Sequence, residues 1–209
     1  MPEVDAPRLR GVLHQVAFFI AAAAGVALVA STGWQWPLAV YAASLALMLG
    51  TSAAYHRGSW SPRVRRWWQR ADHAAIFVFI AGSYTPLCAL ALPPWPGHAL
   101  LVAVWLGAGL GVARALAWPS APRWVVAGLY VALGWAMVVA LPAVVHATGV
   151  PLAAVILAGG ALYTVGAAIY AAGWPDPWPR TFGYHEVFHA LTIAAAIVHF
   201  GALATLARP

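Results

Sequence analysis

Charge is what this sequence most lacks. Asp, Glu, Lys and Arg make up 8% of its 209 residues, where ordinary soluble domains carry roughly 25%. Lysine is absent, so all 11 basic residues are arginines, and the only acids are Glu3, Asp5, Asp72, Asp176 and Glu186. A soluble fold of this length could not cover its surface with so few polar groups. The single cysteine, Cys88, excludes an internal disulfide framework. The period-two alternation of an outer-membrane barrel is missing. So is the pattern of a cleavable leader: residues 1–11 carry acids and arginines and run straight into an apolar stretch. The first helix is therefore expected to act as its own uncleaved signal.

What the chain does have is hydrophobic length. Hydrophobic residues make up 63% of it, and a bilayer core needs about 20 of them per helix. Such runs predict seven membrane helices at approximately 14–33, 37–56, 71–92, 98–117, 124–144, 150–172 and 183–206. Prolines such as Pro37, Pro93, Pro119, Pro151 and Pro175 fall near their ends. The expected fold is an all-α, seven-transmembrane helix bundle forming a single domain over 1–209. No soluble domain fits in loops this short, and the longest, 57–70, forms a basic, Trp-anchored strip that is first of all a topology signal.

Arginine sets the orientation. With seven spans, ten of the 11 arginines lie on the N-terminal side, from Arg8 and Arg10 through the 57–70 strip to Arg114, Arg123 and Arg180; only Arg208 lies opposite. Positive charge favours the cytoplasm, which puts the N-terminus inside and the C-terminus outside. The same clustering accounts for the pI of about 10.1 and makes a nucleic-acid partner unnecessary. Ten of the 12 tryptophans sit near span ends, where an amphipathic ring prefers the headgroup zone; Trp105 and Trp135 are the exceptions.

Ionisable groups inside a bilayer cost several kcal/mol and call for an explanation. His56 ends the second predicted helix, Asp72 and His73 begin the third, and His185 and His189 begin the seventh. All converge at one depth, near the cytoplasmic face. His185 and His189 are spaced i, i+4 and share a helix face, as do Ser52 and His56. Three imidazoles from two helices plus a water would suit tetrahedral zinc with an open position. The string His185-Glu186-Val187-Phe188-His189 also matches H-E-x-x-H, in which the Glu would be the general base of a metalloprotease. No acid follows Glu186 to supply a downstream ligand, and position i+1 points about 100° away from the histidine face. Glu186 is therefore expected near the headgroups or supporting the ligands. His14, which starts the first helix on the same side, is expected at the interface, with support of the ligands as the alternative; His98 and His146 are expected in solvent at the opposite face, and His199, ~21 Å along the helix from His185, in a polar packing contact. Gly107 and Gly111, at G-x-x-x-G spacing, read as close helix packing, and Pro86 as a kink in the third helix.

Three segments carry a family resemblance: TSAAYHR (51–57), RADHAAIFVFIAGSYTP (70–86) and GYHEVFHALTIAAAIVHF (183–200). In that order they resemble the hemolysin III family, which belongs with the progestin and adiponectin receptors and, more distantly, the alkaline ceramidases. The family pattern of S-x-x-x-H, an Asp opening the third helix and H-x-x-x-H falls on Ser52 and His56, on Asp72, and on His185 and His189. The resemblance implies a seven-helix bundle holding Zn2+ by His56, His185 and His189, with Asp72 beside the water the metal would activate. The ceramidase likeness implies hydrolysis of a lipid amide, ceramide-like in class, with a free fatty acid as product and membrane lipids as partners. On this reading Asp72 and Ser52 are the catalytic candidates, in a bacterial cell membrane. Two other readings stand beside it: a non-enzymatic, zinc-stabilised sensor or receptor, and the pore-forming cytolysin the family name implies. Apolar helices with buried charge confined to one end speak against the last.

Overall fold

The computed structural model describes residues 7–207; Glu3, Asp5 and Arg208, used in the charge count, lie outside the described residues. Every long element is helical: α1 (Val12–Ser31), α2 (Trp36–Arg57), α3 (Pro62–Pro86), α4 (Pro94–Ala117), α5 (Arg123–Gly134), α6 (Leu141–Ala172) and α7 (Tyr184–Leu206). A wide π-helical turn over Leu87–Ala91 extends α3, and a tight 3-10 stretch over Trp135–Ala140 joins α5 to α6. Among the described residues, six helical segments are long and apolar enough to cross a membrane, with α5 through α6 counting as one segment, Arg123–Ala172. Their outward side chains are apolar: Phe19 is 66% exposed, Leu110 75% and Val139 90%. A surface of that kind belongs against lipid.

The segment Arg123–Ala172 has 50 residues and would measure ~75 Å if straight, more than twice the ~30 Å of bilayer hydrocarbon. It is not straight. The chain doubles back at Gly149, whose φ of 77° and ψ of 160° lie where essentially only glycine is unstrained. Pro151, just beyond, suits the first turn of a new helix. The two legs meet where Trp135 Nε1 donates to Thr164 Oγ1 at 2.9 Å. The sequence predicts a break in this region at 144–150; helix in fact runs almost to the glycine. The irregularity at Trp135–Ala140 was not expected. Its loose backbone groups are collected by Tyr84, whose hydroxyl accepts from the Met137 N–H at 2.9 Å and donates to the Gly134 carbonyl at 2.5 Å.

α3 begins at Pro62, nine residues before the expected start at 71. The basic strip is thus largely helix. Ser61 is extended, Pro62 occupies the first turn, where its missing N–H costs nothing, and Arg65 N–H closes the turn onto Ser61 O at 2.8 Å. Hydropathy hides this start because the arginines are polar, although arginine is a good helix former. At the other end Pro86 supplies no N–H, and the wide turn Leu87–Ala91 follows.

Close helix packing forms at the glycines where it was expected. A Cβ on Gly111 would collide with the Phe77 ring of α3, and one on Gly107 would lie 2.7 Å from Leu133. Trp105, mid-helix in α4 and 38% exposed, donates Nε1–H to the buried Thr85 Oγ1 at 3.2 Å. One apolar core lies among α3, α4, α5 and α6, around Phe77, Val104 and Met137; a second lies among α2, α3 and α7, around Tyr41, Met48 and Phe79. The chain is also tied at one end of the bundle. Arg8 and Leu9 donate backbone N–H bonds to Arg180 O and Thr181 O at 3.0 and 3.1 Å, and Arg123 Nη1 reaches the Tyr184 hydroxyl at 2.8 Å.

Candidate metal centre

That same end gathers the ionisable residues. The last turn of α2 carries His56 and, one turn earlier, Ser52; α3 brings Asp72; the first turns of α7 bring His185 and His189. One ligand atom from each of His56, His185 and His189 lies within 4.8 Å of the others, and the three can hold a metal ion. His56 Nε2 and His185 Nε2 face each other at 3.2 Å. Two nitrogens on one tetrahedral zinc, each ~2.0–2.1 Å from the metal, stand about 3.4 Å apart, so this pair already has the right spacing. His189 offers the third imidazole within the same 4.8 Å. The competing account of the short pair is one imidazole N–H donated to the other. It gives no role to His189, the third imidazole buried beside the pair. The donor set suits a metal that accepts imidazole.

Asp72 Oδ2 lies 4.0 Å from His56 Nε2, too far for a hydrogen bond and close enough for one bridging atom. Asp72 and Ser52 are 7% and 2% exposed, and the Ser52 hydroxyl interacts with the Asp72 carboxyl. On its other side Ser52 Oγ is 2.8 Å from His14 Nδ1. The structure thus assembles all five candidates, Ser52, His56, Asp72, His185 and His189, at one level. It keeps His199 apart: that ring's Nε2 donates to Ile156 O at 2.9 Å, the polar packing contact expected of it.

Glu186 has a different task from the one H-E-x-x-H suggests. Its Oε1 accepts from Arg10 Nε at 2.6 Å, and its Oε2 accepts from the Gly183 N–H at 2.8 Å. The second bond satisfies a free N–H at the start of α7, as a capping-box glutamate does. The side chain is fully buried within the bundle. Both oxygens are occupied by structural partners, which removes the specific support for a protease base.

His14 is the residue that sequence reasoning undervalued. It was expected at the interface and is instead 2% exposed, its ring stacked on that of His189 with centroids 3.7 Å apart and planes 10° apart. Its position in the first turn of a helix starting at the same end was the available signal. Which way that helix faces was not legible.

The histidines open onto a cavity of about 410 Å³. Arg10, Gln69, Ser120 and Arg123 lie at its outer end, and Trp135, Tyr163 and His199 line it farther into the bundle. From His185 to His199 is ~21 Å along α7. Most of the wall between is aliphatic or aromatic, from α3, α5, α6 and α7.

Comparison with known proteins agrees with these motifs. Residues 3–200 match the family described as Haemolysin-III related. Hemolysin-3 of Bacillus cereus is 29% identical over 164 residues, covering 77% of this chain and 70% of that protein. A Hemolysin-3 homolog of Bacillus subtilis (strain 168) is 30% identical over 130 residues, 62% of this chain and 58% of its own length. The chain is a multi-pass integral membrane protein that belongs to the haemolysin-III-related family, within the progestin and adiponectin receptor superfamily.

Proposed function

We propose that this protein is a zinc-dependent membrane hydrolase that cleaves an acyl bond, an amide of ceramide-like class, in a lipid delivered from the bilayer. The observation that carries the reading is the meeting of His56, His185 and His189 beside Asp72 at the mouth of a long apolar cavity. His56, His185 and His189 would hold the zinc. Bound there, zinc would supply Lewis acidity and lower the pKa of a water to about 7. Asp72 would orient a water at the site and accept a proton from it. Ser52, held by His14, keeps the Asp72 carboxyl turned toward the histidines. The cavity receives the acyl chain, and a free fatty acid is the product.

The membrane arrangement is part of the proposal. Seven crossings are supported by the reversal at Gly149 and by the return of the chain from Arg123 to the same end at Tyr184. A cytoplasmic N-terminus is supported by the arginines of that end. The site then faces the cytoplasm.

The test is Asp72→Asn, compared with wild type for zinc content and for fatty-acid release from ceramide-class and phospholipid vesicles. Zinc retained with turnover abolished is the expected result; full turnover in the variant refutes the mechanism. A second reading, a non-enzymatic zinc-stabilised sensor, draws on the fact that the histidines join α2 to α7. Lipid turnover that disappears in His56→Ala argues against it. The relatives' hemolysin names suggest a pore, but Arg10, Asp72 and Arg123, the charged residues lining the cavity, gather at one end of it.

A further inference from the structure

We infer that His14 is a positioning residue of this centre, fixing the plane of His189 through its ring and the direction of the Ser52 hydroxyl through Nδ1. The inference rests on the metal-site reading above and adds to it a residue from a helix that supplies no ligand.

A ligating histidine usually donates its other ring N–H to a carboxylate, carbonyl or water, which fixes ring orientation. Here Nδ1 of His189 is buried without such a partner among the described residues. What restrains the ring is a face: His14 lies parallel to it at 3.7 Å and 10°. The imidazole of α1 thus restrains the ring from its face rather than through an in-plane hydrogen bond. His14 is itself held, because its Nδ1 lies 2.8 Å from Ser52 Oγ and the ring is buried.

The second contact takes its polarity from the base role proposed for Asp72. A carboxylate that is to take a proton is ionised and only accepts hydrogen bonds, so in that state the Ser52 O–H points to Asp72 and Ser52 accepts from His14 Nδ1–H. One residue of α1 thereby orients a ligand on α7 and, through α2, the carboxylate on α3.

The two contacts separate by substitution. His14→Ala removes both; His14→Phe keeps an aromatic face against His189 and removes the bond to Ser52. The probes are Co2+, whose visible absorption reports coordination geometry, and Zn2+ in chelator competition, on detergent-purified full-length protein. His14→Ala is expected to weaken metal binding about tenfold or more, the usual loss for outer-shell changes, and to alter the cobalt spectrum. His14→Phe is expected to keep affinity within about threefold and to keep the spectrum, while losing turnover. Wild-type affinity and spectrum in His14→Ala would overturn the inference. So would an equal loss of affinity in His14→Phe, since the stack would then not be what holds His189. A wild-type protein that binds neither metal would remove the metal reading itself, and this inference with it.

Discussion

Replacing Glu186 by Gln tests whether the H-E-x-x-H glutamate is chemical or structural. The wild-type carboxylate is fully buried and pairs with Arg10, whose side chain is 16% exposed. Gln keeps the shape and one acceptor but removes the charge, leaving the guanidinium nearly buried and without its counter-ion. Breaking a buried pair from one side costs about 3–5 kcal/mol. Arg10 can turn partly toward water, so the lower end applies, about 3 kcal/mol. For a chain of this size each kcal/mol moves Tm by roughly 2–4 °C, which gives a fall of about 6–12 °C. The assay is thermal unfolding in detergent followed by tryptophan fluorescence, with zinc content measured below the transition. The pair should also couple: Arg10→Met combined with Glu186→Gln should cost clearly less than the two single changes added together. An unchanged Tm with zinc-dependent turnover abolished would refute the structural account and return Glu186 to the role of a base.

Two further changes probe the fold. Gly149→Ala places a Cβ at φ 77°, ψ 160° and should cost about 1–3 kcal/mol; a Tm equal to wild type would mean that the reversal does not depend on that backbone shape. Tyr84→Phe strands the Met137 N–H and the Gly134 carbonyl. It should cost about 1–3 kcal/mol and speed hydrogen exchange at Met137 more than in α7; uniform exchange across both regions would count against it.

The helices were legible because lipid demands long apolar runs, and the run lengths placed α1, α2, α4 and α7 to within a few residues. The common level of His56, Asp72, His185 and His189 was legible for a similar reason: alternating helix direction carries depth, and i, i+4 spacing carries face. What hydropathy could not show is where a helix leaves the lipid. α3 continues through its arginines to Pro62, because helical hydrogen bonding needs no apolar side chain. The run 124–144 puts Trp135, Leu141 and Val144 in one leg, as the structure does, but hydropathy could not show the 3-10 stretch Trp135–Ala140 that interrupts it. The contacts of His14 and Glu186 were not legible because they depend on neighbours brought from α2, α7 and the segment before α1. Pattern within one helix does not contain those neighbours.

The most direct test of the central claim is elemental analysis of detergent-purified protein prepared without chelator, wild type against His56→Ala. The account predicts about one zinc per chain in wild type, a three-imidazole site with an open position, and its loss when the α2 ligand is removed. Zinc retained without His56 would contradict the ligand set, and no metal in the wild type would return the three histidines to a hydrogen-bonded packing cluster.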